Sequence, residues 1–582
     1  MSAYPVLLTR PLLAGFTAGV LISLGACSAA NPEAPATEAG SPQLSDQAHE
    51  RERAELHEQL AAAPAELQRK SQVAGRAVMP SVAYAPMPMS VQADFLPPGY
   101  RDQSREQYQK LADNPVHAVA ETPVSTFSID VDTGSYANVR RFLNGGQLPP
   151  QDAVRLEELV NYFPYAYPLP KGNVPFGVHT ELAATPWNPE SRLLRIAIKA
   201  SDLRVDELPP ANLVFLVDVS GSMDRRDGLP MVQGTLKLLV EQLRAQDKVS
   251  LVVYAGSSSV VLEPTAGSDK AKIRAAIDQL TAGGSTAGES GIQLAYQQAQ
   301  QGFIDGGINR ILLATDGDFN VGISDFEALK QLAADKRKTG VSLTTLGFGT
   351  DNYNERLMEQ LADAGDGNYA YIDNLREARK VLVDQLSSTL ATVASDVKIQ
   401  VEFNPAEVSE YRLLGYENRA LKREDFSNDK VDAGEIGAGH TVTALYEVVP
   451  VGGKGWLEAL RYQRTEKSVG QQGELALLRI RYKAPQQSSS RLLEIPIEAQ
   501  RNTPAIALAS EDLRFAAAVA AFAQQLKGGQ YTGAFGVPQS IALARSARGD
   551  DRFGLRGEFI QLAEIAQSLQ RGESAASLIP AQ

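Results

Sequence analysis

The chain has 582 residues, of which 43% are hydrophobic and 21% are charged, and its formal net charge is −13 at pH 7. This length allows two to four domains with substantial cores. Binding to nucleic acid requires a basic surface, and the acidic balance comes with no cluster of lysine and arginine in the sequence. Nucleic acid is therefore excluded as the expected partner.

The first apolar stretch, residues 11–24, follows a single basic residue, Arg10. It is shorter than a bilayer-spanning helix requires, and the arrangement is typical of a secretory signal. The stretch runs into LGAC at 24–27, which resembles a bacterial lipobox, and Cys27 is the only cysteine. Lipid attachment explains an unpaired thiol in an exported chain. We predict a lipoprotein signal peptide at 1–26 and a palmitate-type anchor on Cys27 that tethers the chain to a membrane.

Residues 27–100 are rich in Ala, Pro, Glu and Ser and lack the apolar density of a core. We predict a flexible tether with a short helix around 50–72, which Pro64 interrupts. A flexible chain of this length spans on the order of 45 to 50 Å, so the folded part can stand away from the membrane. By resemblance to bacterial lipoproteins, Ser28 after the cysteine favours the cell envelope, at the outer membrane of a Gram-negative cell.

The segment 101–205 contains two alternating apolar patterns. They predict a half-buried strand at 125–131 and a strand with one solvent-exposed face at 192–200. The D-x-D-x-G pattern at 130–134 is compatible with a calcium loop or with a turn that caps a helix. Arg141 stands where an EF-hand requires glutamate, so the turn is favoured.

Strands and amphipathic helices alternate between residues 206 and 392. This alternation predicts a Rossmann-like, doubly wound α/β domain with a mostly parallel sheet and helices on both faces. Its clearest strand, 213–217, is apolar throughout, as in strands buried on both faces. Helix-start signals are Pro230, Ser268, the S-x-x-E box at 324–327 and the N-x-x-E box at 374–377.

Oxygen-bearing side chains follow two of the predicted strands, and a Gly-rich loop lies between them. Carboxyl ends of parallel strands meet at one edge of a sheet, so we expect these side chains to converge. Gly221 lets the backbone turn so that two hydroxyls face one point. Oxygen-only ligands suit a hard cation, and Mg²⁺ above all. The five candidate ligands are Asp218, Ser220, Ser222, Thr286 and Asp316.

This array resembles the metal-ion-dependent adhesion site (MIDAS) of von Willebrand factor type A (VWA) domains, and all five positions match. The resemblance implies that Ser220 and Ser222 ligate the ion directly, with Thr286 as a third ligand in at least one state. Asp218 and Asp316 would act mainly through bound waters and hydrogen bonds. It implies Mg²⁺, with Mn²⁺ or Ca²⁺ as alternatives, and a protein partner whose acidic side chain completes the coordination.

The flanks extend the resemblance to a group of bacterial envelope lipoproteins, in which a segment like 120–165 precedes the VWA domain. We assign the VWA domain to 206–392 and the VWA-associated region to 101–205. Alternating apolar residues predict a β-sandwich-like domain at 393–505, in which Pro496 favours an edge strand or bulge. We hypothesise that the strands at 174–200 join this domain, which would make the VWA domain an insertion. Helical spacing of apolar residues predicts packed helices at 506–582.

No catalytic arrangement emerges from the sequence. The five histidines are scattered, and Ser285 lies in a distant likeness of a nucleophile elbow without an obvious base. We expect a membrane-anchored, divalent-cation-dependent protein-binding module and not an enzyme. The alternatives are a structural or assembly lipoprotein whose metal only stabilises the fold, and an adaptor for a cytoplasmic ATPase, which lipid attachment at Cys27 disfavours. Asp224, Asp227 and Asp318 are either ligands of a second ion or solvated carboxylates.

Overall fold

The computed structural model of the protein describes residues 106–129, 132–172, 174–285, 288–317, 326–350, 353–458, 460, 473–485, 487, 489–499 and 504–577. All belong to one compact unit, 101–582. The predicted signal peptide, Cys27 and the tether lie outside the described residues, as do Thr286 and Ser324. No helix in the described ranges is both long and apolar enough to cross a bilayer.

Four strands and two helices precede the central sheet. They are β1 His117–Ala118, β2 Val124–Ser128, α1 Gly134–Asn144, α2 Leu156–Asn161, β3 Phe176–Ala184 and β4 Arg192–Ala200.

Of the two carboxylates in the D-x-D-x-G pattern, Asp132 is described. It accepts a hydrogen bond from the backbone N–H of Tyr369 at 2.8 Å and pairs with Arg419 at 3.3 Å. This side chain therefore fastens the start of α1 to the rest of the fold. The helix follows the D-x-D-x-G segment as predicted, but its N-cap residue, Thr133, makes no side-chain capping hydrogen bond.

The central domain contains a six-stranded sheet with the order β10-β9-β8-β5-β6-β7, in which β7 alone runs antiparallel to its neighbour. Its elements are β5 Ala211–Asp218, α3 Leu229–Gln242, β6 Lys248–Tyr254, β7 Ser258–Ala266, α4 Lys270–Asp278, α5 Gly288–Gln301, β8 Ile308–Thr315, α6 Phe326–Arg337, β9 Ser342–Gly347, α7 Glu355–Ala364, β10 Tyr369–Tyr371, α8 Leu375–Arg379, a π-helical turn Lys380–Asp384 and α9 Leu386–Leu390. Buried apolar residues line both faces of this sheet. The predicted doubly wound α/β fold is confirmed.

One predicted helix start in this domain needs correction. The residue that caps α4 is Asp269, not Ser268, and its side chain makes no capping hydrogen bond. Four elements, β7, α5, α7 and β10, were not predicted from the sequence. The polar residues of β7 give it no clear alternation, because this edge strand is half exposed. Asn374 does cap α8, and its side chain accepts from the backbone N–H groups of Arg376 and Glu377.

Strands after the central domain form two further sheets with the strands before it. The added strands are β11 Thr392–Phe403, β12 Val408–Leu414, β13 Ile436–Gly437, β14 Thr441–Pro450, β15 Glu474–Lys483 and β16 Ser490–Glu498. One sheet has the order β1-β12-β14-β4-β3, and the other has the order β13-β11-β15-β16 with β2 beside β11. The hypothesised pairing is confirmed, since β4 pairs along its length with β14. Apolar side chains from both sheets, such as Ile196 and Ile480, share one core.

The strand β4 differs from its prediction. One face was expected to be exposed to solvent, but both are buried. Leu194 and Ile196 pack into the sandwich core, whereas Leu193 and Ala197 pack in the core that contains the C-terminal helices. Period-two alternation cannot reveal a second covering layer that comes from a distant part of the chain.

The edge position of Pro496 is confirmed, because β16 ends its sheet in the described residues.

Three helices complete the fold. They are α10 Glu511–Leu526, α11 Val537–Ser546 and α12 Leu555–Ser577. An aromatic cluster attaches them to the body, with ring centroids of Phe163 and Phe515 4.9 Å apart and those of Phe515 and Phe559 5.6 Å apart. Tilted aromatic pairs of this kind stabilise a core beyond their buried area. The predicted packing of the C-terminal helices is confirmed.

Buried carboxylates meet where α2 approaches α7 of the central domain. Glu158, Glu355 and Glu359 are each at most 3% exposed. Burial raises the pKa of Glu355 to about 8; Arg155 opposes this shift and Glu359 adds to it. Glu355 therefore keeps its proton in the folded protein at neutral pH, although it would ionise near pH 4.5 in the unfolded chain.

We expect this buried acid to make stability depend on pH. The folded pKa is above the unfolded one, so the stabilisation is complete below about pH 4.5 and is lost as the pH rises through about 8. Glu355→Gln keeps a neutral side chain, so its melting temperature should fall less than that of the wild type between pH 5 and pH 8.5. Calorimetry at both pH values measures this. Exposed Glu327→Gln is the control, and parallel profiles for wild type and Glu355→Gln would contradict the assignment.

Candidate metal site

The site begins at the carboxyl end of β5, where Asp218 is fully buried. Its Oδ1 accepts a hydrogen bond from the backbone N–H of Ser220 at 2.9 Å. Its Oδ2 accepts from the Thr315 hydroxyl, at the end of β8, also at 2.9 Å. Asp218 therefore holds the turn after β5 against the end of the neighbouring strand.

Two hydroxyls lie on that turn. Ser220 Oγ and Ser222 Oγ are 3.0 Å apart, with Ser220 buried and Ser222 half-buried. A short 3₁₀ turn, Gly221–Met223, sets this spacing. Two adjacent ligands of an octahedral Mg²⁺ at about 2.1 Å lie roughly 3 Å apart. The hydroxyl pair therefore fits neighbouring positions around such an ion.

The Gly-rich loop is hydrogen-bonded to the same turn. The N–H of Gly221 donates to the carbonyl of Gly284 at 3.0 Å, and the N–H of Gly283 donates to the carbonyl of Val219 at 2.8 Å. Gly284 has φ +92°, a conformation that side chains disfavour, so glycine is required for this approach. The loop is thus fixed beside Ser220 through residue 285, while Thr286 follows outside the described residues.

A second buried carboxylate, Asp316, follows β8 and is 1% exposed. Burial raises the pKa of Asp218 to about 6; hydrogen bonds from Ser220 and Thr315 oppose this shift, and the charge of Asp316 adds to it. Two acidic groups that disfavour each other's ionised form in a buried place would be stabilised by a divalent cation. The structure therefore brings Asp218, Ser220, Ser222 and Asp316 to one edge of the sheet, and ion binding there stays a prediction.

The other acidic residues near the site have separate environments. Asp224 is exposed, and Asp318 lies outside the described residues. Asp227 pairs with Arg225, whose Nε and Nη2 donate to its carboxylate at 3.0 and 3.1 Å. Burial raises the pKa of Asp227, but the hydrogen bonds and charge of Arg225 outweigh it, so the net shift is downward.

Arg225 also donates to the Thr350 hydroxyl, in the loop after β9, and thereby joins two loops at this sheet edge. The sequence reasoning missed Arg225 and Thr350. The available signal was a basic residue, Arg225, three positions after the end of the D-x-S-x-S array. In the described part of the chain, no group of three or more His, Cys, Asp or Glu side chains could hold a metal. A metal site at this edge of the sheet would therefore need the serine hydroxyls as ligands.

Three protein-family models match successive parts of this chain. Residues 212–385 match the family model of the von Willebrand factor type A domain, and residues 102–195 match a model described as von Willebrand factor. Residues 388–569 match the C-terminal model of protein YfbK. Uncharacterized protein YfbK of Escherichia coli (strain K12) is 51% identical over 472 residues, which cover 80% of this chain and 81% of that protein. The chain belongs to the YfbK family.

Matches beyond the YfbK family are more local. Uncharacterized protein sll0103 of Synechocystis is 35% identical over 189 residues, which cover 32% of this chain and 43% of that protein. The solved von Willebrand factor type A structure from Catenulispora acidiphila aligns with a TM-score of 0.40 and 15% identity, over 66% of this chain and 88% of that one. VWA domain proteins generally mediate protein interactions, and VWA domains often bind a divalent metal through a MIDAS. All five candidate ligands of this YfbK-family chain fall within the matched residues 212–385.

Proposed function

We propose that this protein is a membrane-anchored, divalent-cation-dependent protein-binding module of the bacterial envelope. The observation that carries the proposal is the pair of serine hydroxyls 3.0 Å apart at the carboxyl edge of the sheet. The hydrogen-bonded carboxylate of Asp218 supports it by fixing the turn that bears both hydroxyls. We assign no catalytic activity to the protein.

The chemistry of the donors explains why a partner is needed. Ser220, Ser222 and Thr286 would hold Mg²⁺ through neutral oxygens, while Asp218 and Asp316 would act through waters and hydrogen bonds. Neutral ligands leave a dication with most of its charge uncompensated. An Asp or Glu side chain of a protein partner would supply both a ligand and the missing negative charge.

We further propose that a lipid on Cys27 anchors the protein at the outer membrane of a Gram-negative cell. The support is the lipobox-like sequence at 24–27 and the single cysteine of the chain. Incorporation of radiolabelled palmitate into the wild type and not into Cys27→Ala tests this anchor.

A pull-down tests the binding function. Full-length protein with Ser222→Ala should lose an envelope partner that the wild type captures in Mg²⁺ and releases in EDTA, because one ligand of the ion is gone. The matched control is Ser268→Ala, since Ser268 is exposed and lies before α4, away from the site. Equal capture by wild type and Ser222→Ala, with and without Mg²⁺, would contradict a cation-dependent interaction.

One observation favours the alternative function, a structural or assembly lipoprotein in which the metal only stabilises the fold. Asp218 is fully buried, and its pKa is raised to about 6 by burial, so a bound cation would also stabilise the fold. In that case EDTA would lower the melting temperature while partner capture persisted. Loss of capture at a temperature where the EDTA-treated protein remains folded would favour the binding function.

A further inference from the structure

A cavity of about 430 Å³ lies where three parts of the fold meet. One wall comes from the helical segment at the end of the VWA domain, and a second comes from residues 438–441 at the start of β14. Phe553 and Leu555, at the start of α12, close a third side. The cavity shares no lining residue with the candidate metal site, and its volume is in the range of small-molecule sites.

Its lining carries more positive than negative charge. Asp202 and Asp384 are the acidic residues among those that line it, whereas the basic ones are Lys199, Arg376, Arg379 and Lys380. Lys199 is held at the wall, because its Nζ lies 2.5 Å from the carbonyl of Gly439. Each of these cations also has a carboxylate within 4 Å, at 3.3 Å for Lys199 and Asp202, 3.8 Å for Arg376 and Glu558, 3.9 Å for Arg379 and Asp384, and 3.5 Å for Lys380 and Glu377. An incoming anion would therefore compete with loosely held ion pairs.

The two arginines lie one helical turn apart, at the exposed side. The side chains of Arg376 and Arg379 are 50% and 64% exposed. Arg379 approaches Asp384 only to 3.9 Å, and an exposed pair at that separation contributes little stability. Arg379 can therefore turn toward an incoming anion at little cost.

Deeper in the cavity, Lys380 is 7% exposed and its Nζ lies 3.4 Å from the centroid of the Tyr162 ring. Burial lowers the pKa of Lys380, and Glu377, at 3.5 Å, opposes this shift. A bound anion would stabilise the ammonium form further. His440 lines the cavity too, and burial lowers its pKa to about 4, so at neutral pH it offers a hydrogen bond and no charge.

The backbone here departs from a regular helix. Residues 380–384 form a π-helical turn between α8 and α9, and this turn and the residue after it bring Lys380, Asp384 and Gln385 to the cavity wall. Single π-helical turns are rare and are frequent at functional sites. The lining also contains apolar side chains, of which Phe553 is 46% exposed.

We propose that this cavity binds a small organic anion, which joins an apolar aromatic or aliphatic body to a carboxylate or phosphate group. The arginine pair and Lys199 receive the anionic group, because guanidinium donors match the planar or tetrahedral oxygens of such groups. The exposed ring of Phe553 covers the apolar body. The site is independent of the metal site and of the proposed partner.

Calorimetry on the full-length protein in EDTA tests this site with phenyl phosphate and benzoate as probes. At least one of them should bind at least tenfold more tightly than benzyl alcohol, which has the ring without the charge. Inorganic phosphate should bind more weakly than phenyl phosphate, because it lacks the apolar body. Whether phenyl phosphate or benzoate binds more tightly identifies the anionic group, and either order supports the proposal.

Substitutions of residues that line the cavity test whether the probe binds there. Arg379→Gln should weaken the tighter probe about tenfold, and Lys199→Gln should do the same, whereas Arg204→Gln, with a 73% exposed side chain, should leave it unchanged. Melting curves establish that each variant is folded. Asp218→Ala should bind the probe like the wild type, which separates this site from the metal site. Failure of both anions to bind at millimolar concentration, or equal binding by wild type, Arg379→Gln and Lys199→Gln, would overturn the proposal.

Discussion

Asp218→Ala is expected to lower the affinity of the full-length protein for Mg²⁺ by about 10- to 100-fold, the range typical of residues that orient metal ligands. The reason is geometric. The Asp218 carboxylate accepts hydrogen bonds from the Ser220 backbone and the Thr315 hydroxyl, so its loss frees the turn that places both serine oxygens. Titration calorimetry with MgCl₂ measures the change.

Asp224→Ala provides the matched control, because Asp224 is an exposed carboxylate six residues further along the same loop. Its Mg²⁺ affinity should equal that of the wild type. Thermal melting gives a second readout. Mg²⁺ at 100 times the wild-type dissociation constant should stabilise the wild type by about 2.7 kcal/mol, and the same concentration should stabilise Asp218→Ala by only about 0.4 to 1.4 kcal/mol. Equal affinity in wild type and Asp218→Ala would exclude this array as the metal site.

Arg140→Leu, outside the site, is expected to produce a large loss of stability. Arg140 is 1% exposed, and its guanidinium donates to Asp373, to Glu377 at 2.9 Å and to the Tyr162 hydroxyl at 2.8 Å. It also lies 3.4 Å from Glu558 of α12. One side chain thus ties α1, the end of the VWA domain and the C-terminal helices together.

Removal of Arg140 leaves the buried Asp373 without its cation, and leaves Glu377 with Lys380 alone, 3.5 Å away. Breaking a buried pair by removing one partner costs about 3–5 kcal/mol, because an uncompensated charge remains. Urea unfolding followed by circular dichroism should show this loss as a lower free energy of unfolding. Arg204→Leu, which removes an exposed arginine, should change the free energy of unfolding by less than about 0.5 kcal/mol. A loss below 1 kcal/mol for Arg140→Leu would contradict the assigned role.

The sequence predicts the central sheet well, because its strands are apolar runs that end at polar turns. The strand β5 ends at Asp218 and β8 ends at Thr315, so a parallel arrangement alone brings Asp218 and Asp316 to the same edge. The chain order of strands and helices was sufficient for this step. Alternating residues on both sides of the insertion led to the hypothesis that the strands at 174–200 join the later β-rich domain, but the partner of β4 in that domain, β14, was not predicted.

Other features depend on contacts between distant residues, which periodicity does not encode. Arg140 reaches Asp373 across 233 positions, and Arg225 reaches Thr350 across 125. A sequence pattern shows that an arginine is present but gives no indication of its partner. The burial of both faces of β4 has the same origin, since helices more than 300 residues later cover one of them.

Crystals of the protein grown or soaked in MnCl₂, with anomalous diffraction measured, test the central claim most directly. We predict an anomalous peak at about 2.1 Å from both Ser220 Oγ and Ser222 Oγ, with the Asp218 and Asp316 carboxylates one water further away. A map with no peak at this edge of the sheet, in crystals where the two hydroxyls remain 3.0 Å apart, would contradict a metal site there.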